Sequence, residues 1–139
     1  MRKLFLFSLA LVCCSFLNCH SQVPKEVQEA FEEKYPDEEN PKWNVDRNNN
    51  FEAHFKEKGE VYRADFTPKG EWIETERSIK KKDLPELVRR KLKSDYHDFE
   101  IIELEETRHH EKGLFYDVEL KKDGKKRDVE FRVNGQIIN

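Results

Sequence analysis

One pattern occurs twice in this chain, and any fold has to accommodate both copies. Val23-Pro24-x-x-Val27-x-x-x-Phe31-x-x-x-Tyr35 returns 61 positions later as Leu84-Pro85-x-x-Val88-x-x-x-Leu92-x-x-x-Tyr96. Apolar side chains four apart stack on neighbouring turns of one helical face, so both copies are predicted as amphipathic helices. Each has a proline near its start, where N–H groups lack internal acceptors. Pro36 ends the first helix, and Asp83 with Glu86 gives the second a capping-box-like start.

A second block follows each helix. Phe51-x-Ala53-x-Phe55, Gly59, Tyr62-x-Ala64-x-Phe66, Gly70 and Trp72-Ile73 return 65 positions later as Tyr116-x-Val118-x-Leu120, Gly124, Arg127-x-Val129-x-Phe131, Gly135 and Ile137-Ile138. Period-two alternation predicts half-buried strands. Lys58-Gly59, Lys69-Gly70, Asp123-Gly124 and Asn134-Gly135 predict the hairpin turns between them. One further strand is expected in each copy, around Trp43 and Val45 (42–47) and around Ile101, Ile102 and Leu104 (99–107). The second offset is four residues longer than the first, which puts an enlarged connection in copy two, between the helix and the matched strands.

Each copy then reads as α-β-β-β(-β). Strands joined by short turns pair antiparallel, and helices with one apolar stripe must cover an apolar sheet face. The expectation is an α+β fold with one antiparallel sheet, two helices on one face and a single interior shared by both copies. Phe51, Ala53, Phe55, Tyr62, Ala64, Phe66, Tyr116, Val118, Leu120, Val129, Phe131 and Val133 are expected to meet the helices. Glu52, His54, Lys56, Arg63, Asp65, Phe115, Asp117, Glu119, Asp128, Glu130 and Arg132 are expected on the open face.

The start of the chain reads as a leader. Basic Arg2 and Lys3 precede an apolar run from Leu4 to Leu17, too short to span a bilayer comfortably, and small residues Cys19 and Ser21 precede a Ser21/Gln22 junction. A signal peptide over 1–21 is expected, with one domain over 22–139 made of repeats 22–82 and 83–139. The alternative is a lipoprotein anchored at Cys19. Cleavage after Ser21 removes Cys13, Cys14 and Cys19, all the cysteines of the chain, so no disulfide staples the domain. It also removes two of 26 basic residues against 29 acidic ones, taking the net charge from −3 to −5. A mildly acidic exported domain is a poor nucleic-acid binder. Charged residues are 40% of the chain, enough to raise the question of disorder, but the aromatic content and strict patterning argue for a packed core.

In this order and duplication, Pro24, Val27, Phe31, Tyr35-Pro36, Trp43, Phe55, Phe66, Gly70, Trp72, Leu84-Pro85 and Tyr96 resemble the PepSY-like proteins. These are grouped with the β-lactamase-inhibitor-like (BLIP-like) fold and are common as small exported proteins of Bacteroidetes-type bacteria. The resemblance spans Val23 to Asn139. It implies a tandem α/β repeat, periplasmic or extracellular placement, and protein binding or inhibition by analogy. No inhibitory loop can be matched residue by residue.

Chemistry is sparse. The hydroxyls Thr67, Thr75, Ser78, Ser94 and Thr107 have no nucleophile-elbow context, so no catalytic residue and no cofactor are expected. Asp46-x-Asn48-x-Asn50 begins like a calcium loop, but Phe51 replaces the sharp-turn glycine and starts a strand, so a hairpin loop is expected. His109 and His110 are weak candidates for metal, because neighbours on a strand point apart. Lys80-Lys81-Lys82 and Arg89-Arg90-Lys91 read as solvated surface. The expected function is a non-enzymatic module binding a protein or peptide of the envelope through His54, Arg63, Asp65, Phe115, Asp117, Glu119, Glu130 and Arg132. Phe115 would serve as an exposed aromatic anchor if no loop covers it. The alternative is an envelope protein that binds a small ligand or metal.

Overall fold

A computed structural model describes residues 22–139. The expectations about the leader, its cleavage and its cysteines lie outside the described residues. The elements run α1 (Lys25–Lys34), β1 (Lys42–Val45), β2 (Phe51–Glu57), β3 (Glu60–Phe66), β4 (Trp72–Ser78), α2 (Glu86–Asp95), β5 (Glu100–His109), β6 (Gly113–Lys122) and β7 (Lys125–Phe131). The strands form one antiparallel sheet in chain order, β1 to β7, so every pair is made by sequence neighbours. Tight turns or short loops join them except between β4 and β5, where α2 intervenes.

Pro24 and Pro85 stand immediately before the helices, with φ of −56° and −53°. Tyr35 and Tyr96 close the last turns by donating N–H to the carbonyls of Phe31 and Leu92. The capping box expected at Asp83 and Glu86 does not form. Asp83 instead accepts the Lys80 N–H at 3.1 Å across a 3₁₀ turn at Lys81–Asp83, and Glu86 pairs with Arg90 in solvent. Pro85 separates the two structures and takes the cap position itself.

The expected shared interior is two interiors. Val27 and Phe31 of α1 pack with Phe51, Ala53, Phe55, Ala64 and Phe66. Val88 and Leu92 of α2 pack with Leu84, Tyr116, Val118, Leu120, Val129 and Phe131. The physical reason lies at the seam. Pairing places Thr75 and Arg77 of β4 beside Arg108 and Glu106 of β5 on the helix side. These polar residues make a floor that neither helix can cover favourably, and a groove of about 540 Å³ runs there, with Tyr35, Tyr62 and Trp72 among its walls.

The duplication extends to individual hydrogen bonds. Thr67 N–H bonds to the Glu71 carbonyl at 2.8 Å and Gly70 N–H to Thr67 at 2.9 Å, and Arg132 to Gln136 with Gly135 to Arg132 repeats both distances. Each glycine has positive φ and sits against the start of its helix. A Cβ on Gly70 would lie 2.5 Å from the Glu26 carbonyl oxygen, and one on Gly135 would lie 3.3 Å from that of Leu87. Val133, expected inside, falls in this turn beyond β7 and is 62% exposed.

After that turn the copies diverge. Phe66 pairs with Trp72 to open β4, whereas the matching pair of Phe131 with Ile137 is a single bridge, so the eighth strand is absent. Ile138 N–H bonds to the Glu130 carbonyl, and the Asn139 side chain then does the work of a neighbouring backbone. Its Nδ2 donates to the Asp128 carbonyl and its Oδ1 accepts the Glu130 N–H, both at 3.1 Å.

Candidate functional site

The face without helices is the candidate site. Alternation along β2 to β7 puts ten carboxylates on it: Glu52, Asp65, Glu74, Glu76, Glu103, Glu105, Asp117, Glu119, Asp128 and Glu130. Cross-strand register arranges six of them in two rows, Glu103–Glu119–Asp128 and Glu105–Asp117–Glu130. Like charges directly opposite destabilise a sheet, so these rows are held against their own repulsion by the packing of the other face.

Counter-charges sit at the borders of this field. The Arg63 guanidinium lies across β3 and β4, with Nε 3.2 Å from Asp65 Oδ1 and Nη2 2.7 Å from Glu76 Oε1. On the far side Lys126 pairs with Glu119 at 2.6 Å, and Lys112 reaches both oxygens of Glu130 at 2.8 Å. Between these borders Glu103, Glu105, Asp117 and Asp128 have no ion-pair partner among the described residues. Burial lifts Asp65 to about 6 with Glu74 and Glu52 adding to it, against the pull of Arg63. Burial likewise raises Asp117 to about 6, reinforced by Asp128, Glu130 and Glu105. Glu76 is pushed furthest, to about 8, by burial against Arg63 and by the neighbouring carboxylates Glu105, Glu74 and Asp65.

The residues singled out in the sequence divide in two. Arg63, Asp65, Asp117, Glu119 and Glu130 come together on this face, and His54 lies toward its β1 edge, with its Nε2 3.2 Å from Asn44 Nδ2. The exposure expected of Phe115 is corrected, and Arg132 is found engaged beside it. Phe115 does lie on the outer side, opposite Thr107, but only 3% of it is exposed. The Lys112 ammonium stands over its ring at 5.2 Å while bonded to Glu130. Arg132 holds that cover in place by donating to the Lys112 and Leu114 carbonyls at 2.5 and 2.9 Å. Phe115 is therefore no exposed anchor. Alternation assigns a side chain to a face, and it says nothing of a long lysine folding back over that face.

Glu76, Glu105 and Thr107 were missed because β4 and β5 have polar residues on both sides at the seam, so no alternation marks them. The signal available was the unusual density of glutamate between 71 and 76 and between 100 and 106.

His109 and His110 stack at 4.7 Å, and His109 Nδ1 already accepts the Glu111 and Lys112 N–H groups. No group of three or more His, Cys, Asp or Glu among the described residues is placed to hold a metal ion. Asp46 is a turn residue. Its Oδ1 accepts the N–H groups of Asn48 and Asn50 at 2.7 and 2.8 Å, which closes the β1–β2 loop.

The comparisons with known proteins agree with this architecture. A family model described as "Putative beta-lactamase-inhibitor-like, PepSY-like" matches residues 17–63 and again 49–139. The chain belongs to the PepSY-like family. Solved structures share this fold. A "putative periplasmic" protein of Bacteroides eggerthii is 21% identical with a TM-score of 0.75, covering 85% of this chain and 87% of its own. A DUF2874 family protein of Bacteroides uniformis is 19% identical with a TM-score of 0.76 over 85% and 88%. A BLIP-like protein of Bacteroides fragilis is 22% identical with a TM-score of 0.72 over 84% of each chain. At these identities the likeness is one of fold. No curated protein matches. No helix among the described residues is long and apolar enough to cross a membrane.

Proposed function

We propose that this protein is an exported, non-enzymatic module that binds a protein or peptide through the outer face of its sheet. The observation that carries this reading is the asymmetry of the sheet. One side is sealed by two helices over two apolar cores, while the other presents a broad charged surface built from six consecutive strands. The BLIP-like description of one structural relative and the periplasmic description of another support it. Export after cleavage at Ser21 belongs to the same proposal. Mass spectrometry of the mature protein is expected to find Gln22 first, and a lipidated Cys19 would replace that part.

Affinity capture from envelope extract tests the binding face. Glu103→Lys with Asp128→Lys changes two exposed positions that no described ion pair uses. The variant is expected to lose proteins that the unaltered domain retains, and identical capture would remove this face from consideration. One observation favours a small-ligand reading instead. The seam groove has aromatic walls and a polar floor of Thr75, Arg77, Glu106 and Arg108. A ligand held there would raise the melting temperature, because binding to the native state alone stabilises it.

A further inference from the structure

Three buried polar atoms of the outer face have no hydrogen-bond partner among the described residues: Glu76 Oε2, Thr107 Oγ1 and Asp117 Oδ1. They are neighbours. Glu76 pairs across the strands with Thr107, Thr107 with Phe115, and Asp117 lies two residues beyond Phe115 opposite Glu105. Glu76 is only 8% exposed and Thr107 only 1%. Buried acceptors without partners are rare in native proteins and costly; a proton on Glu76 shared with Glu105 meets part of this need, and Asp117 is left open to a donor from outside. Glu76, Glu105 and Asp117 line a cavity of about 190 Å³ together with Arg63, Glu103, Glu119 and Asp128.

We propose that this cavity receives an arginine side chain carried by an extended basic segment of a partner protein. The proposal rests on the binding reading above and names the chemistry of the partner.

Charge sets the sign of the occupant. Six carboxylates line the cavity against the single guanidinium of Arg63, which already occupies one oxygen of Glu76. Geometry then separates an arginine from a metal ion. The carboxylates come from four successive strands, and no three of them among the described residues are placed to hold one metal ion. A guanidinium is a planar fork of five donors suited to bridging separate carboxylates. Arg63 shows the mode within this protein, spanning Asp65 and Glu76 on adjacent strands. A second guanidinium laid over β5 and β6 would serve Glu105, Asp117 and the free oxygen of Glu76. At roughly 30 Å³ per water the cavity equals about six waters, room for the head group and part of its stem. Outside the cavity the same face also carries Glu52, Asp65, Glu74 and Glu130, so a segment with several basic residues complements more of the face than a lone cation.

Burial and mutual repulsion favour protons on these carboxyls. Around Glu76 stand Arg63 and Asp65 from β3, Glu74 from β4 and Glu105 from β5, with Asp117, Asp128 and Glu130 around the far side of Glu105, and burial keeps Glu76, Glu105 and Asp117 above the usual carboxylate range. An arriving guanidinium favours the charged forms and displaces those protons, so affinity rises with pH.

The test is fluorescence anisotropy of the full protein with a labelled peptide alternating arginine and threonine, beside its citrulline counterpart, agmatine and calcium. The expected result is binding that weakens at least tenfold in Glu105→Gln with Asp117→Asn. It should persist in Glu86→Gln on α2, vanish with citrulline, and tighten several-fold from pH 6 to pH 8 at fixed salt. Thermal melts confirm that each variant is folded. Equal affinity of the citrulline peptide or of the double variant overturns the proposal. Agmatine binding as tightly as the peptide, or calcium blocking it at equal concentration, assigns the cavity to a free cation and also overturns it. If the peptide fails while Glu103→Lys with Asp128→Lys still abolishes capture, the arginine assignment falls and the binding face stands.

Discussion

A carboxyl group held above its ordinary pKa makes the native state take up protons that the unfolded chain releases. Glu76 rises from 4.5 to about 8, and Asp65 and Asp117 from 3.8 to about 6. Between about pH 4 and pH 8 the folded protein therefore binds more protons than the unfolded one, and its stability falls as pH rises through that window. Most acid-labile proteins run the other way. The melting temperature is expected to drop from pH 5 to pH 8 at constant salt, and Glu76→Gln is expected to flatten the slope and stabilise the protein by about 2 kcal/mol at pH 8. A melting temperature that climbs over this range refutes the burial argument. Phe115 gives the second residue-scale expectation. Truncating a ring that is 3% exposed leaves a cavity, so Phe115→Ala is expected to cost about 3 kcal/mol in urea denaturation and would weaken any binding only through unfolding.

At the scale of elements, the matched turns after β3 and β7 test whether the repeats are built alike. Gly59 and Gly124 need only a positive φ, with open space where a Cβ would go, whereas Gly70 and Gly135 also meet helix backbone. Gly59→Ala is expected to cost about 1 kcal/mol from backbone strain, and Gly70→Ala clearly more, because the Glu26 carbonyl cannot move without the helix. Equal losses would mean that the turn and α1 yield together. Elements were the most legible level of this chain. Both helices, their prolines, the hairpins of β2–β3 and β6–β7 and the inward aromatic stripe follow from spacing alone. The polar seam of Thr75, Arg77, Glu106 and Arg108 was hidden, because a strand flanked by uncovered surface on both sides has no period to read. Phe115 keeps its expected side but is covered, Arg132 is engaged by carbonyls, and Val133 leaves the interior, for a related reason. Each depends on what happens beyond its own strand: a lysine folding over, a guanidinium turning back to a carbonyl, a strand that ends early.

For the molecule as a whole, two cores joined by the β4–β5 ladder predict uneven opening. Phe31 is the hub of its half, within 5.6 Å of Tyr35, Trp43 and Phe55 by ring centres. Phe31→Ala should cost about 4 kcal/mol and lower hydrogen-exchange protection in β2 and β3 well before β6 and β7. Uniform loss across the sheet would make the halves one cooperative unit. The Asn139 clasp has a consequence for assembly. Its amide occupies main-chain groups that a neighbouring molecule would need along β7, while Lys125, Lys126 and Arg127 repel like-charged chains farther along. Among the described residues only β1 remains for edge-to-edge growth. Molecules that can join on one side stop at a pair, so the Asn139 clasp and the basic run beside it leave edge pairing no route to a fibre.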